Sequence, residues 1–174
     1  GRAHALLLAE HGACVVVNDL GGARDGTGSS NSMADSVVEE IRNAGGQAAA
    51  TYGSVTEDDA AKAMVQCAVD NFGRLDILIN NAGILRDRSF KNMTDAEWDA
   101  VIEVHLRGAY LVTKHSWQQM LTQGDGGRII MTSSTSGLIG NFGQANYGAA
   151  KAGLAGFMRV LALEGIKYGI TVNV

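Results

Sequence analysis

Tyr147 and Lys151 are four residues apart in a segment, Gln144–Tyr168, whose apolar spacing predicts a helix. Residues at i and i+4 lie on one face of a helix. A free tyrosine is a poor base at neutral pH, because its phenol titrates near ~10. An ammonium group beside a phenol favours the phenolate, so such a pair could act as a general acid and base. A surface Tyr–Lys pair without chemistry is the alternative, and the pair alone does not decide between them.

Three further polar features directly follow predicted strands. Asp19 follows an apolar strand, where a carboxylate can accept both ribose hydroxyls of an adenine nucleotide and repel a 2′-phosphate. That would favour NAD over NADP, but an aspartate before two glycines could equally form a turn. The small residues of Asn80–Gly83 would let the backbone approach a flat ligand, or would simply mark a turn. Ser134 lies in a Ser/Thr-rich stretch that could be a solvated loop.

These features need elements to position them, and the pattern predicts short apolar strands that alternate with helices of 3.6-residue period. The predicted helices are Arg2–His11, Ser32–Asn43, Glu57–Phe72 (with Thr56 as N-cap), Thr94–Gln123 (one long helix or a broken pair) and Gln144–Tyr168. The predicted strands are Cys14–Asn18, Gln47–Tyr52, Leu75–Ile79, Arg128–Met131 and Ile170–Val174. Because the strands are continuously apolar, we expect both faces to be covered, as in a doubly wound parallel α/β sheet. The sequence Thr94–Glu97 predicts a capping box.

Composition excludes several classes of protein. The 174 residues include 23 glycines and no proline, and the net charge is −4 without any block of like charge. This argues against nucleic-acid and anionic-membrane partners. No apolar run reaches the ~18 residues of a membrane span. Cys14 and Cys67 are interpreted as small core residues, and the histidines lack metal-ligand spacing, so we expect no metal.

Taken together, the motifs identify a family. Asn80-Asn81-Ala82-Gly83, Ser134, Tyr147 thirteen positions later and Lys151 four beyond it resemble the short-chain dehydrogenase/reductase family along essentially the whole chain. The resemblance implies a Rossmann-like sheet that binds a dinucleotide. It also implies that Tyr147 transfers the proton, Lys151 holds the nicotinamide ribose, and Ser134 orients the substrate.

Longer segments resemble one subfamily more closely, the (3R)-hydroxyacyl-CoA dehydrogenases of peroxisomal multifunctional enzymes type 2 and their bacterial relatives. These segments are Val17–Gly22, Gly83–Phe90, Val104–Gly108 and Gly140–Tyr147. The resemblance implies NAD-dependent oxidation of 3-hydroxyacyl-CoA in fatty-acid β-oxidation, with some activity on 17β-hydroxysteroids. It also implies cofactor contacts at Gly1, Asp19, Ser54, Val55, Asn81, Ala82 and Gly83 in addition to Tyr147 and Lys151. An NADPH-dependent 3-oxoacyl carrier-protein reductase and a non-catalytic nucleotide-binding module are the alternatives.

The sequence departs from the wider family in three places. His105 stands where most members have an asparagine that serves a proton relay, and a relay and a structural role at a helix kink both remain open. Gly53-Ser54 stands where many members have an aspartate against the adenine. The family's first strand and glycine loop are expected just before Gly1, and its Pro-Gly stretch and substrate lid after Val174. The resemblance therefore predicts one domain over residues 1–174, truncated at both ends and inactive by itself.

Partners and location follow only from the resemblance. The family pairs the helices that correspond to Thr94–Gln123 and Gln144–Tyr168 across a two-fold axis, which implies a homodimer. Four apolar residues could serve that face or belong to the core: Trp98, Trp117, Phe157 and Met158. An acyl-CoA substrate is implied, with a peroxisomal location in a eukaryote or a cytoplasmic one in a bacterium.

Overall fold

The structure is a computed structural model and describes residues 1–174. Five short strands alternate with seven α-helices. In chain order they are α1 (Arg2–Glu10), β1 (Val15–Asn18), α2 (Ser32–Asn43), β2 (Ala48–Thr51), α3 (Asp58–Phe72), β3 (Ile77–Asn80), α4 (Asp95–Ile102), α5 (Gly108–Gln123), β4 (Gly127–Met131), α6 (Thr135–Leu138), α7 (Ala145–Gly165) and β5 (Ile170–Asn173). A π-helical turn, Glu103–Arg107, joins α4 to α5, and 3₁₀ turns occupy Phe90–Asn92 and Ile166–Tyr168.

All strand pairs are parallel, and they form two sheets. One sheet pairs β1 with β2, and the other has the order β3-β4-β5. The predicted α/β class and the alternation of strands and helices are confirmed. Most element ends differ from the prediction by one or two residues, which is the usual uncertainty at such boundaries. The short helix α6 was not predicted, because four residues carry too little periodicity.

The two-stranded sheet is covered on both faces. Alternate strand residues, among them Val15, Val17 and Ala48, pack with Val37 and Ile41 in a core cluster under α1 and α2. Helix α3 contacts both strands as well. Because successive side chains of a strand point to opposite faces, this arrangement covers both sides of the short strands, although the residues of β1 stay half-buried.

The three-stranded sheet is covered on one face only. Ile129, Met131 and Ile170 are buried against α5 and α7 in the largest core cluster. The residues between them point the other way, so that Arg128 is exposed and Ile130 is 40% exposed. The prediction that both faces are covered is therefore wrong for β4 and β5, because no helix of residues 1–174 lies over that face.

The long predicted helix is continuous, with a π turn in its middle. Its start carries the predicted capping box: Thr94 Oγ1 accepts the Glu97 N–H at 3.2 Å, and the Glu97 carboxylate accepts the Thr94 N–H at 2.9 Å. That hydrogen bond, followed by those from Arg88 and the Thr94 hydroxyl, lowers the pKa of Glu97. A single π turn inside an α-helix is frequently found at a functional site.

Two local predictions are wrong. The N-cap of α3 is Glu57 and not Thr56, because the Thr56 hydroxyl pairs with the Ser54 hydroxyl at 2.8 Å. Cys14 is exposed, since it lies just before the first paired residue of β1 and outside the sheet. Cys67 is partly buried, and burial raises the pKa of its thiol. No helix of the chain combines the length and apolarity that crossing a bilayer requires.

Candidate active site

Tyr147 lies between two buried side chains that could tune its chemistry. The Lys151 ammonium nitrogen is 5.5 Å from the centroid of the Tyr147 ring. The His105 ring meets the Tyr147 ring edge-to-face, with 5.1 Å between centroids and an interplanar angle of 90°. The helix α7 supplies Tyr147 and Lys151, and the π turn supplies His105. The structure thus brings together three of the four residues predicted to be catalytic.

Lys151 is 3% exposed, an unusual position for an ammonium group. Its Nζ donates a short hydrogen bond to the carbonyl oxygen of Thr132, the residue after β4. Burial lowers the pKa of Lys151 from 10.5 to about 8. An ammonium has three donors, so two of its N–H groups remain available to a ligand with hydroxyl oxygens.

His105 is 4% exposed and is held by the backbone of Ile84. Its Nε2 lies 2.8 Å from the Ile84 oxygen and 3.1 Å from the Ile84 nitrogen, and the ring tautomer decides which contact is the hydrogen bond. Its Nδ1 is buried without a partner. Burial is the main cause that lowers the pKa of His105 to about 4, and the charge of Lys151 adds to it. His105 is therefore neutral at physiological pH.

Gly83 is needed beside this histidine. A Cβ on Gly83 would lie 2.3 Å from His105 Cε1, which is closer than any real contact. The Asn-Asn-Ala-Gly sequence after β3 thus allows the chain to pass directly over the imidazole ring. This close approach is the physical reason for a glycine at position 83.

Ser134 begins the short helix α6 and caps it. Its Oγ accepts the Ser136 N–H at 3.2 Å. Helix α6 lies tightly along α7, because a Cβ on Gly137 would meet the Ala152 nitrogen at 2.7 Å. In addition, the Ser136 hydroxyl donates to the Gln144 side chain at 2.7 Å. Ser134 therefore lies at the start of α6, the helix that packs against α7, which carries Tyr147 and Lys151.

The predicted cofactor residues fall into two groups. Asn81, Ala82 and Gly83 follow β3, and a Cβ on Gly1 would lie 3.3 Å from the Asn81 Nδ2. The start of α1 is thus beside the carboxyl end of β3. Small residues at such a strand end leave room for a flat ligand, which fits a dinucleotide at this edge.

The second group lies at the carboxyl end of the two-stranded sheet. The Asp19 carboxylate is exposed, and its Oδ1 accepts the Gly21 N–H at 2.7 Å, so the aspartate does form the turn that was the alternative prediction. Its Oδ2 makes no hydrogen bond within the protein and could still accept one from a ribose hydroxyl. Ser54 pairs with Thr56, and Val55 packs under Gly108 at the start of α5.

Two buried side chains at the site were not anticipated from the sequence. Asn146 makes three hydrogen bonds directly before Tyr147, and Thr113 accepts the Asn80 side-chain N–H at 2.9 Å. An asparagine in the first turn of a predicted helix is a capping signal, which could have pointed to Asn146. Nothing in the local pattern around Thr113 indicates its partner.

Two surface cavities lie elsewhere. They are lined by residues such as Met120, Leu121 and Tyr168, close to the amino ends of β4 and β5. Thr132 and Ser134 follow the carboxyl end of β4, Lys151 donates to Thr132, and His105 contacts Ile84, which follows β3. We place the candidate site at the carboxyl ends, because the convergent polar groups are there and parallel sheets bind ligands at that edge.

Comparison with known proteins agrees with this geometry. The chain is 54% identical to the putative short-chain type dehydrogenase/reductase Rv0148 of Mycobacterium tuberculosis, over 99% of this chain and 60% of that protein. It is also 54% identical to the peroxisomal multifunctional enzyme type 2 of Mus musculus, over 99% of this chain and 23% of that protein. The predicted resemblance is therefore confirmed.

More distant relatives and a solved structure point the same way. The chain is 43% identical to a 3-oxoacyl-[acyl-carrier-protein] reductase of Synechocystis, over 99% of this chain and 66% of that protein. A crystal structure of a short chain dehydrogenase from Mycobacterium avium has a TM-score of 0.90 at 49% identity, over 99% of this chain and 61% of that one. The chain thus spans about three fifths of the bacterial dehydrogenases it matches. The short chain dehydrogenase family profile matches residues 1–174, and the protein belongs to that family.

Proposed function

We propose that the protein is an oxidoreductase that transfers a hydride between NAD and the C3 hydroxyl or ketone of a (3R)-hydroxyacyl-CoA in fatty-acid β-oxidation. The observation that carries this proposal is the contact of Tyr147 with the buried ammonium of Lys151 at the carboxyl edge of the sheet. The substrate class is supported by the mouse relative, which is named a peroxisomal multifunctional enzyme type 2.

Each residue of the site has a defined task in this proposal. Tyr147 removes the proton from the substrate hydroxyl, and Ser134 donates a hydrogen bond to the oxygen that becomes a carbonyl. Lys151 holds the nicotinamide ribose through the two N–H groups that Thr132 leaves available. The nicotinamide, when bound, supplies the hydride chemistry, while the protein supplies orientation and electrostatics.

His105 supports the site as a neutral ring. Its Nε2 is engaged with Ile84, so only Nδ1 is available for a relay, and Nδ1 is buried without a protein partner. A histidine that titrates near 4 does not carry a proton as imidazolium at neutral pH. We therefore propose that His105 mainly supports the Tyr147 ring and the chain at Gly83.

The test of the reaction is Tyr147→Phe in the natural full-length protein, with Tyr110→Phe as the matched control. Tyr110 is 48% exposed on α5 and lies outside the site, so its loss should leave turnover unchanged. Tyr147→Phe removes the only side-chain oxygen proposed to take the proton, so kcat should fall at least ~10²-fold, while NAD binding is retained. Turnover at the wild-type rate in Tyr147→Phe would contradict the proposal.

The choice of cofactor is tested separately at Asp19. The exposed carboxylate repels a 2′-phosphate, so the protein should bind NAD more tightly than NADP in a calorimetric titration. Asp19→Ser removes the charge and should narrow the difference in affinity between NAD and NADP by about tenfold or more, since a hydrogen bond to a charged group contributes about 1.5–3 kcal/mol and about 1.4 kcal/mol corresponds to tenfold. Equal affinities in the wild type would show that Asp19 does not select the cofactor.

A second candidate function has one observation in its favour. The Synechocystis relative is named a 3-oxoacyl-[acyl-carrier-protein] reductase, and the same side chains could run the reverse reaction with NADPH. Rates with 3-oxoacyl carrier protein and NADPH, measured against those with 3-hydroxyacyl-CoA and NAD, separate the two. A protein that turns over neither pair but binds the nucleotide would instead be a non-catalytic module.

A homodimer and the location are further proposals. Trp117, Phe157 and Met158 pack on the main core cluster, whereas Leu163 and Ile166 of the same region are each 73% exposed. We propose that this exposed apolar face pairs two copies. Light scattering of wild type against Leu163→Glu tests it, and a wild-type monomer would contradict it. We also propose a peroxisomal location in a eukaryote, which the names of the mouse and yeast relatives support, and a cytoplasmic one in a bacterium.

A further inference from the structure

Asn146 is completely buried at the start of the helix that carries Tyr147, and its exposed fraction is 0%. Its Nδ2 donates to the carbonyl oxygens of Arg86, at 3.1 Å, and Glu97, at 2.9 Å. Its Oδ1 accepts the backbone N–H of Tyr147 at 2.8 Å. Both donors of the amide are therefore used, and losing a partner of a buried polar group is costly.

One of these partners belongs to a segment that is fixed along its length, which we call the strap (residues 83–88). Contacts reach five of its other positions from outside it. The ring of His105 contacts Gly83 and Ile84. The Leu85 N–H donates to the Arg24 carbonyl, and the Arg88 N–H donates to the Gly143 carbonyl. The side chain of Gln144 donates to Asp87. The Arg86 carbonyl is therefore a fixed point beside the site.

Gln144 and Gly143 tie the start of α7 to the strap, but the backbone N–H groups of its first turn have few partners. The N–H groups of a first turn lack partners within the helix, and the N-cap residue Gln144 makes no capping hydrogen bond. Tyr147 is the third residue of α7, and its N–H is one of these groups. Asn146 satisfies that N–H and at the same time ties the turn to the strap and to α4.

We propose that Asn146 is a positioning residue, which holds the Tyr147 ring between Lys151 and His105 by fixing the first turn of α7 to the strap. The inference rests on the proposed function of Tyr147. It predicts that loss of the amide donors of Asn146 impairs proton transfer by Tyr147 more than cofactor binding. The reason is that Asp19 and Ser54, two of the predicted cofactor residues, lie at the two-stranded sheet, away from Asn146.

The test uses Asn146→Asp and Asn146→Ala in the natural full-length protein. The aspartate keeps the shape and the acceptor for Tyr147 but loses both donors. Alanine removes all three hydrogen bonds without adding charge. Asn71→Asp is the matched control, because the exposed Asn71 also donates to a backbone carbonyl, that of Cys67, at 2.8 Å but lies far along the chain on α3. We expect kcat to fall ~10- to 100-fold in both Asn146 variants, as for small misplacements of reacting groups.

Two further measurements separate positioning from a general loss of structure. The KM for NAD should stay within about threefold of the wild type, since interactions that bind the ground state and the transition state equally are not affected. Hydrogen exchange of the amides of residues 83–88 and 145–149 should quicken in both variants, with the rest of the chain unchanged. The inference is overturned if kcat falls only in proportion to the loss of folded protein, or if exchange in these two segments is unaltered.

Failure of the proposed function would be visible in the wild type. A wild-type protein that oxidises no hydroxyacyl-CoA would refute the reaction, while the exchange of the Tyr147 N–H would still decide whether Asn146 fixes the turn. An active wild type with unchanged kcat in both Asn146 variants would refute only the inference.

Discussion

The ammonium of Lys151 is buried at the place where the proposed reaction needs a positive charge. Burial favours the neutral amine, and the pKa falls from 10.5 to about 8. Thr132 offers one carbonyl oxygen in compensation. A charge kept in such a position has a cost in stability that a functional role would explain.

This cost predicts a pH dependence of stability. Between pH 8 and 10.5 the unfolded chain binds the Lys151 proton and the folded chain has released it, so the free energy of unfolding should rise with pH in this window. Lys151→Met should flatten that rise in urea titrations at pH 8, 9 and 10. The exposed Lys114, replaced by methionine in the same way, should leave the slope intact. An identical slope in wild type and Lys151→Met would refute the assigned burial.

The buried His105 predicts a second pH dependence of stability, at acid pH. Its pKa is lowered from 6.5 to about 4, so the unfolded state binds more protons between these values and stability falls as pH falls from 6.5 towards 4. A shift of this size corresponds to a loss on the order of 3 kcal/mol. His105→Asn should remove that part of the acid destabilisation in urea titrations, whereas the exposed His4, changed to asparagine, should not. If the free energy of unfolding falls by the same amount with falling pH in wild type and in His105→Asn, the assignment of a neutral, buried ring is contradicted.

At the level of elements, the site depends on how closely α6 lies against α7. Gly137 is the contact residue of α6, with the backbone of Lys151 and Ala152 beneath it. Because backbone atoms cannot move aside as a flexible side chain does, this contact sets the distance between the Ser134 end of α6 and the Tyr147 face of α7.

A pair of glycine substitutions tests this packing. Gly137→Ala places a Cβ 2.7 Å from the Ala152 nitrogen, so we expect it to cost ~1–3 kcal/mol of stability and to lower kcat. Gly156→Ala is the control on α7 itself, since Gly156 is exposed with no atom within 4 Å of the added Cβ. In a helix interior that change should stabilise by up to ~1 kcal/mol. Thermal unfolding that shows the same sign for both variants would contradict the contact.

At the level of the whole molecule, the two sheets stand side by side without pairing. Helices α3 and α5 pack against each other and join them, since α3 contacts β1 and β2 while α5 contacts β3. Each of β1 and β3 has one strand neighbour only, and Ile77 of β3 is 38% exposed. An unpaired strand edge is a template for a further strand.

We propose that a further parallel strand of the natural protein fills the place between β1 and β3, because each of them pairs with only one other strand. The prediction is that the natural protein unfolds in one transition with a higher midpoint than residues 1–174 alone, because a central strand would pair with both sheets. Circular dichroism melts of the two proteins check it. Equal midpoints of the two proteins would contradict the proposal.

The sequence determined the local features of this protein. The apolar periods give the helices and strands, the Thr94–Glu97 box begins α4, and the spacing of Tyr147 and Lys151 places them on one helical face. These features depend on residues within one or two turns of each other, so the order of amino acids contains them.

Only the tertiary structure decided what surrounds the site. The burial of Lys151, the engagement of His105 with Ile84, the three bonds of Asn146 and the open face of β4 and β5 each depend on segments distant in the chain. The burial of a charge or an amide is set by which atoms the packing brings next to it, and no local pattern carries that information.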